Sequence, residues 1–301
     1  MDLAAADEAV LSLDTTFGHL IRRAQQVHTG LWKAEFADEL TGPQYAVLSV
    51  LTRFPSADQA TIGAVAALDR SNAADVVSRL GRNGWLDRDR DDTDTRRNVV
   101  RLTPAARAAL RNITPRAERV QAELLAPLRP GDEHHFIRTL AVVAFAGNPP
   151  EAGPLTDDEA ADVPALPLAT TPGHLIRRSE QLHRQRWLLH VGVPLTPTQY
   201  ELLAAVARRP DTDQAQIGEL ASLDKSSTAA IVSRLAARAL LSVRRDERDR
   251  RRKLLTLTDA AWSTLARVTP SVELVQRDLT APLTDQRARR LVELLRAVAS
   301  R

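Results

Sequence analysis

The chain contains one long sequence twice, and matched positions keep a constant spacing. GHLIRRAQQVH from Gly18 returns as GHLIRRSEQLH from Gly173, with eight of eleven positions identical and an offset of 155 residues. Solenoid repeats have periods of roughly 20–50 residues, so a repeat of this length indicates two copies of one domain. We therefore predict domains at residues 1–147 and 170–301, joined by a linker at 148–169 that is rich in proline and acidic residues.

Composition excludes several classes of protein. The 301 residues include no cysteine, which removes disulfides, thiolate metal sites and cysteine nucleophiles. The chain has no apolar run near the roughly 20 residues that span a bilayer and no signal-peptide pattern, so we expect a cytoplasmic protein without a membrane partner. Aromatic residues make up only 4%, which favours packing of helix on helix. The net charge of +3 says little about partners.

Each copy is predicted to be mainly helical with one hairpin. Apolar spacing and capping residues in the first copy predict helices at about 15–36, 44–52, from Asp58, 70–83, 103–128 and 133–145, with Gly84 ending the fourth. The period changes at Trp85-Leu86 and at Asn98–Leu102, which predict two strands around the charged stretch 87–97. The fold class is therefore mainly α with small β-wings.

Two helices joined by a tight turn and followed by a charged hairpin are typical of a winged helix-turn-helix, whose second helix enters the major groove of DNA. Ala73, Val76, Val77 and Leu80 would face inward, and the polar residues of this helix and hairpin would meet DNA. In the first copy these are Arg70, Ser71, Asn72, Asp75, Ser78, Arg79, Arg88, Arg90, Asp94, Arg96 and Arg97. In the second copy they are Lys225, Ser226, Ser227, Thr228, Ser233, Arg234, Arg245, Asp249, Arg250, Arg251 and Arg252. A charged hairpin that is only a solvated loop is the alternative.

The motifs in this order resemble the MarR family (multiple antibiotic resistance regulators). The matching segments are TGPQYAVLSVL from Thr41 and LDRSNAADVVSRLGRNGWLDR from Leu68, with LTPTQYELLAAV and LDKSSTAAIVSRLAARALL in the second copy. The resemblance implies a homodimer with interlocked terminal helices, in which each winged helix reads one half-site and a small ligand relieves repression. It also implies that Asp94 orients Arg96 and that Asp249 orients Arg251.

Fusion departs from the pattern of the family, because one chain here supplies both halves. We expect a monomeric pseudo-dimer with a pseudo-two-fold, all-helical interface, although a further dimer of chains stays possible. The copies also differ in charge. Residues 87–98 hold four Arg and five Asp, a net charge of −1, whereas residues 242–253 hold seven Lys or Arg and three acids, a net charge of +4. This predicts an operator with two unlike half-sites, unless drift has only removed contacts from the first copy.

Arginine, histidine and tryptophan cluster on the first helix of each copy. An arginine fork binds carboxylates and a tryptophan offers a flat wall to an aromatic ring, so the cluster predicts a site for a small aromatic or phenolic acid. The predicted ligand-binding residues are His19, Arg22, Arg23, His28 and Trp32, and His174, Arg177, Arg178, His183 and Trp187. In the alternative interpretation, the arginines pair with acids and the tryptophans belong to the core. We expect no metal and no cofactor, because the seven histidines lack the spacing of metal ligands.

These features together predict a sequence-specific regulator of transcription, a repressor of double-stranded operator DNA that an aromatic acid releases. An enzyme is not expected, because the chain has no phosphate-binding glycine loop and no nucleophile elbow. An effector-independent DNA-organising protein with weak sequence preference is the principal alternative. A winged helix that binds protein instead of DNA is a further one, favoured only by the −1 wing of the first copy.

Overall fold

The computed structural model describes residues 10–90, 98–149 and 163–300, and the two repeats form the same elements in the same order. The elements of the first repeat are α1 (Phe17–Phe36), α2 (Gly42–Arg53), β1 (Ala57–Asp58), α3 (Gln59–Val65), α4 (Arg70–Arg82), β2 (Leu86–Arg90), β3 (Asn98–Leu102), α5 (Pro104–Leu125) and α6 (Asp132–Ala144). Those of the second are α7 (Pro172–His190), α8 (Pro197–Arg208), β4 (Thr212–Asp213), α9 (Gln214–Leu220), α10 (Lys225–Ala237), β5 (Leu241–Arg245), β6 (Lys253–Leu257), α11 (Asp259–Thr280) and α12 (Asp285–Ala299). The predicted fold class, mainly α with small β-wings, is confirmed.

Capping residues fix where the helices begin. Thr41 and Gln44 form a capping box at α2, in which each side chain bonds the backbone N–H of the other residue. The carboxylate of Asp58 accepts from the N–H of Thr61, as the sequence predicted, and Asp69 caps α4 in the same way. The corresponding residues of the second repeat repeat these bonds. Local capping therefore sets the first residue of each helix in the helix-turn-helix and of the helix before it.

Each wing is a three-stranded antiparallel sheet, where the sequence predicted a two-stranded hairpin. The strand orders are β1-β3-β2 and β4-β6-β5. Ala57 pairs with Val100 in the first sheet, and Thr212 pairs with Leu255 in the second. The added strands are two residues long, too short to show the alternation that marks a strand in a sequence. They tie the loop before α3 and α9 to the base of each wing.

The compact units of the structure differ from the predicted domains. One unit comprises Met1–Arg23 with Leu182–Thr284, and the other comprises Ala24–Gln181 with Asp285–Arg301. Each unit therefore holds one complete winged helix together with segments of the other repeat. The core of the first unit includes Val10 and Leu13 beside second-repeat residues such as Tyr200. Because burial of these apolar side chains is favourable, the segment at the start of the first repeat packs in the unit that holds the second winged helix.

The second unit shows the same exchange. Val163 is buried in its core, with Leu166 and Leu168 packed against it, so the end of the predicted linker 148–169 is part of a folded unit rather than an extended tether. The hydroxyl of Tyr45 accepts from the N–H of Leu166 at 3.1 Å. Tyr200 makes the equivalent bond with Leu11 in the first unit, also at 3.1 Å. In both units a buried tyrosine thus anchors the segment that precedes a long helix.

Candidate functional sites

The α4 helix buries one stripe and exposes the other. Its buried residues are Ala73, Val77 and Leu80. The predicted contact residues Arg70, Ser71, Asn72, Asp75 and Arg79 are exposed, and Ser78 is half-buried. The amide of Asn72 also donates to the capping carboxylate of Asp69 at 2.6 Å, so the start of the helix is held rigidly.

The α10 helix exposes most of the predicted residues but not Thr228. Lys225, Ser226, Ser233 and Arg234 are exposed, and Ser227 is half-buried with its hydroxyl bonded to Asp224 at 2.6 Å. Thr228 is only 2% exposed, and its hydroxyl donates to the carbonyl of Asp224 at 2.8 Å. The prediction that Thr228 contacts DNA is therefore wrong. Its counterpart in the first repeat is the buried Ala73, which shows that this position belongs to the core.

A glycine allows the two helices of each helix-turn-helix to approach closely. A Cβ atom at Gly63 would lie 3.2 Å from the Cβ of Ala73, and one at Gly218 would lie 2.5 Å from the hydroxyl oxygen of Thr228. The larger Thr228 thus uses the space that its glycine leaves. This close contact fixes the angle at which α10 leaves the preceding helix.

The second wing presents arginines beside α10. Arg245, Arg250 and Arg251 are exposed, and Asp249 accepts a bond from the backbone N–H of Arg251 at 3.0 Å. Arg252 has another partner within the protein, because its guanidinium donates to Asp213 at 2.8 Å. The bond to the N–H of Gln216 and the bond from Arg252 hold the pKa of Asp213 below its usual value. Arg252 therefore links the wing to the start of α9.

The first wing is described in part. Arg88 is exposed on β2. Asp94, Arg96 and Arg97 lie outside the described residues, as does the side chain of Arg90. The orientation of Arg96 by Asp94 therefore stays a prediction.

The predicted ligand-binding residues form two sites, and each site draws on both repeats. His19 and Arg22 belong to the first unit with His183 and Trp187. We call these residues, together with Glu201, the Arg22 site. The Arg177 site lies in the second unit and consists of His28, Trp32, His174, Arg177 and Arg178. The grouping expected from the sequence, in which each first helix carries one whole cluster, is thus replaced by an exchanged one.

The guanidinium of Arg22 donates hydrogen bonds to three acceptors of the first unit. It donates to the carboxylate of Glu201, to the carbonyl of Ala221 at 2.5 Å and to that of Ser222 at 2.9 Å. Glu201 is only 3% exposed, and His19 lies 3.4 Å from the same carboxylate oxygen. Burial raises the pKa of Glu201, but the bond to His19 and the charge of Arg22 outweigh burial and lower it overall. The Arg22 site is therefore a closed ion pair.

The Arg177 site contains the counterpart of Arg22 but has Ala46 in place of the acid Glu201. Arg177 is 9% exposed, and its guanidinium donates to the carbonyl of Ala66 at 2.8 Å and lies 3.0 Å from His174 Nδ1. Within the described residues, no acidic side chain forms an ion pair with it. Burial lowers the pKa of Arg177 to about 10, and the charge of Glu180 partly opposes this shift. Arg177 thus stays cationic at neutral pH.

Burial lowers the pKa of three histidines in these sites, His28, His174 and His183. Burial, and then the charge of Arg177, lowers the pKa of His28 to about 3. Burial also lowers the pKa of His183 to about 4. The ring of His28 rests on Gly173, where a Cβ atom would lie 2.2 Å from Nε2, and His183 rests on Gly18 in the same way at 2.3 Å. Each ring therefore seats on a backbone that only glycine can provide.

Several predicted residues have structural roles. The indole N–H of Trp32 donates to the carbonyl of Leu40 at 2.6 Å, and that of Trp187 donates to Leu195 at 2.7 Å, so both rings belong to a core. Arg178 donates to the carbonyls of Ala144 and Ala64 and covers the ring of Phe145. Arg23 is half-buried. Both tryptophan rings lie in the cores of their units, the position that the alternative interpretation gave them.

Sequence reasoning missed two residues that shape these sites. The amide oxygen of Gln121 accepts from the N–H of Gly173 at 2.8 Å, beside His28. Glu201 was not predicted as a site residue because it lies within a run of apolar residues. Comparison of the repeats would have found it, since Ala46 holds the same position in the first repeat.

The described residues offer neither a membrane-spanning helix nor a cluster of metal-ligating side chains. No helix in residues 10–90, 98–149 and 163–300 is both long enough and apolar enough to cross a membrane. The same part of the chain holds no group of three or more metal-ligating side chains. A surface cavity of about 410 Å³ in the first unit is lined by Leu11, Glu273, Gln276 and Arg277, none of them a predicted site residue.

A helix-turn-helix with an exposed second helix and a three-stranded wing, present in both repeats, defines a winged helix-turn-helix DNA-binding protein. Residues 40–98 and 193–252 each match the MarR family. The transcriptional regulator HosA of Escherichia coli O157:H7 is 30% identical over 120 residues, which cover 40% of this chain and 88% of HosA. The chain belongs to the MarR family of DNA-binding transcriptional regulators, which are not enzymes.

Two further similar proteins match a similar share of this chain. The HTH-type transcriptional repressor NicR of Pseudomonas putida is 27% identical over 130 residues, which cover 43% of this chain and 82% of NicR. The regulator PcaV of Streptomyces coelicolor, solved in complex with its natural ligand, is 39% identical and covers 46% of this chain and 97% of its own, with a TM-score of 0.44. HosA and NicR thus each correspond in length to about one repeat.

Proposed function

We propose that this chain is a repressor that binds an operator through two unequal winged helices and is released by a small aromatic acid. The observation that carries the effector assignment is Arg177, a buried cation that forms no ion pair with a described acid. Arg177 has the carbonyl of Ala66 and the ring of His174 as hydrogen-bond partners and feels the charge of Glu180, but forms no ion pair, so an anionic ligand would add charge-assisted hydrogen bonds to its guanidinium. The name of NicR as a repressor supports the direction of regulation.

The chemistry around Arg177 favours an aromatic carboxylate. A Cβ atom at Gly42 would lie 3.8 Å from His28 Cε1, 3.8 Å from Trp32 Cδ2 and 3.9 Å from Arg177 Nη1. An arginine fork, a neutral imidazole and an indole thus converge on Gly42, where an added methyl group would be in ordinary van der Waals contact with all three. The guanidinium would hold the carboxylate, and the two rings would contact an aromatic face.

Unequal half-sites follow from the two DNA-binding surfaces. Asn72 and Asp75 of the first repeat correspond to Ser227 and Ala230 of the second. Because side chains at base edges carry specificity, the two helices should prefer different base sequences. The net charges of −1 and +4 over the two wings predict that the second wing contributes more to salt-dependent affinity. One chain would then cover both halves of one operator as a pseudo-dimer.

The DNA-binding proposal is tested by selecting bound sequences from a random duplex library and measuring the mass of the complex. We expect one chain on a site with two unlike halves. Two chains on a symmetric site would overturn the pseudo-dimer. Absence of any enriched sequence would instead favour a DNA-organising protein.

The effector proposal is tested on the selected duplex by fluorescence anisotropy with benzoate, 2- and 4-hydroxybenzoate and nicotinate. We expect at least one acid to release the DNA, and Arg177→Gln to weaken this response by about 10- to 150-fold, because a hydrogen bond to a charged group contributes about 1.5–3 kcal/mol. Loss of DNA affinity in the variant without any acid would make Arg177 a structural residue. No release by any acid of the panel would overturn the effector assignment.

A further inference from the structure

We propose that the chain binds one aromatic acid, at the Arg177 site, because the carboxylate of Glu201 already holds the equivalent position at the Arg22 site. This inference rests on the effector assignment made above. It concerns the number of ligands and the site that takes them.

The two sites have the same framework, which makes the comparison direct. Arg22 and Arg177 occupy matched positions of the repeats, and each donates to the carbonyls at the end of a short helix, Ala221 and Ala66 respectively. Each also lies beside the histidine one turn earlier in its helix. In both, the Nε atom is buried without a hydrogen-bond partner. None of these features distinguishes one site from the other.

The acid distinguishes them. Glu201 accepts from Arg22 and lies 3.4 Å from His19, whereas its counterpart Ala46 has only a methyl group. A ligand carboxylate at Arg22 would lie against a buried carboxylate, and two like charges in such a place repel strongly. At Arg177 the ligand carboxylate would meet a cation that forms no ion pair with a described acid, although the charge of Glu180 acts on it.

The residue at the start of the matched helices α2 and α8 also differs between the two sites. Gly42 begins α2 beside Arg177, and the space of its missing side chain lies among His28, Trp32 and the guanidinium. The matched residue at the start of α8 is Pro197, whose ring is bulkier. The first unit therefore has a built-in anion, and a proline ring stands where the second unit has a glycine.

Calorimetric titration of the full chain with each acid of the panel tests the proposal. We expect one acid per chain in the wild type and two in Glu201→Ala, which copies the first repeat at this position. Glu201→Gln, with the same size and no charge, separates the effect of charge from that of volume and should give an intermediate affinity at the new site. Circular dichroism confirms that each variant is folded.

The reverse exchange locates the wild-type ligand. Ala46→Glu should place a carboxylate beside Arg177 and remove the single binding event, whereas Ala46→Gln should retain it with lower affinity. Two acids per chain in the wild type would overturn the inference while leaving the regulator proposal intact. One acid in both the wild type and Glu201→Ala would also overturn it. No binding to either protein would overturn the aromatic-acid assignment itself.

Discussion

Two glycines of the second unit meet opposite surroundings, and the same substitution at each should have opposite effects. Gly173→Ala would place a Cβ atom 2.2 Å from His28 Nε2 and 2.5 Å from its Cε1. Gly30→Ala, in the middle of α1, would find no atom within 4 Å among the described residues. Both positions are helical, so the gain of alanine over glycine, up to about 1 kcal/mol, applies to both.

The magnitudes follow from this contrast. Overpacking costs about 1–3 kcal/mol, and the upper end applies at Gly173 because the ring of His28 is buried on all sides. After the helical gain, Gly173→Ala should lower the free energy of unfolding by about 2 kcal/mol, and Gly30→Ala should raise it by about 1 kcal/mol. The two variants should therefore differ by about 3 kcal/mol.

Urea unfolding followed by tryptophan fluorescence measures these free energies. The decisive control is the His28→Ala background, where the clash is absent and Gly173→Ala should be neutral or stabilising. A stabilising Gly173→Ala in the wild type would refute the argument that the ring rests on this glycine. An equal loss in the His28→Ala background would refute it as well.

Three further outcomes follow from the same geometry. Gly218→Ala should destabilise the first unit by about 1–3 kcal/mol in urea unfolding, and Thr228→Ala should rescue it, because the clash is with the hydroxyl. Since His28 and His183 have folded-state pKa values of about 3 and about 4, below the unfolded 6.5, stability should be full above pH 6.5 and fall below it by about 1.4 kcal/mol per pH unit for each residue. Substitution of either residue by Gln should flatten that slope. Arg251→Ala should reduce the dependence of log Kobs on log salt by about 0.9 if its guanidinium neutralises one phosphate.

The sequence predicted what local chemistry determines. Asp58 and Thr103 cap helices through bonds that span three residues, and the apolar stripe of α4 has a helical period, so these elements could be located without a structure. The helix predicted at 70–83 also forms, at Arg70–Arg82, but the matching helix of the second repeat buries Thr228, which the sequence had placed on its exposed face. A hydroxyl that bonds to the carbonyl one turn earlier in its own helix can be buried, and residue type alone does not reveal this.

Long-range packing was not predictable in this way. The strand β1 exists because Ala57 meets Val100, a partner 43 residues away. The exchange of segments between units depends on which core receives Val10, Leu13 and Val163, and the two repeats have similar cores. Apolar patterning shows that such residues are buried but not against which partner. The sequence therefore predicted one cluster within each repeat, whereas each unit combines residues of both repeats.

The exchange explains how one gene product can hold two different sites on one framework. Neither repeat contains all the residues of a unit, so a change in one repeat alters one wing and parts of both arginine sites. In a homodimer every change appears in both halves, and a buried acid such as Glu201 would enter both sites at once. Fusion removes that constraint, because Ala46 and Glu201 are separate positions of one chain. The divergence of the wings, with net charges of −1 and +4, has the same physical origin.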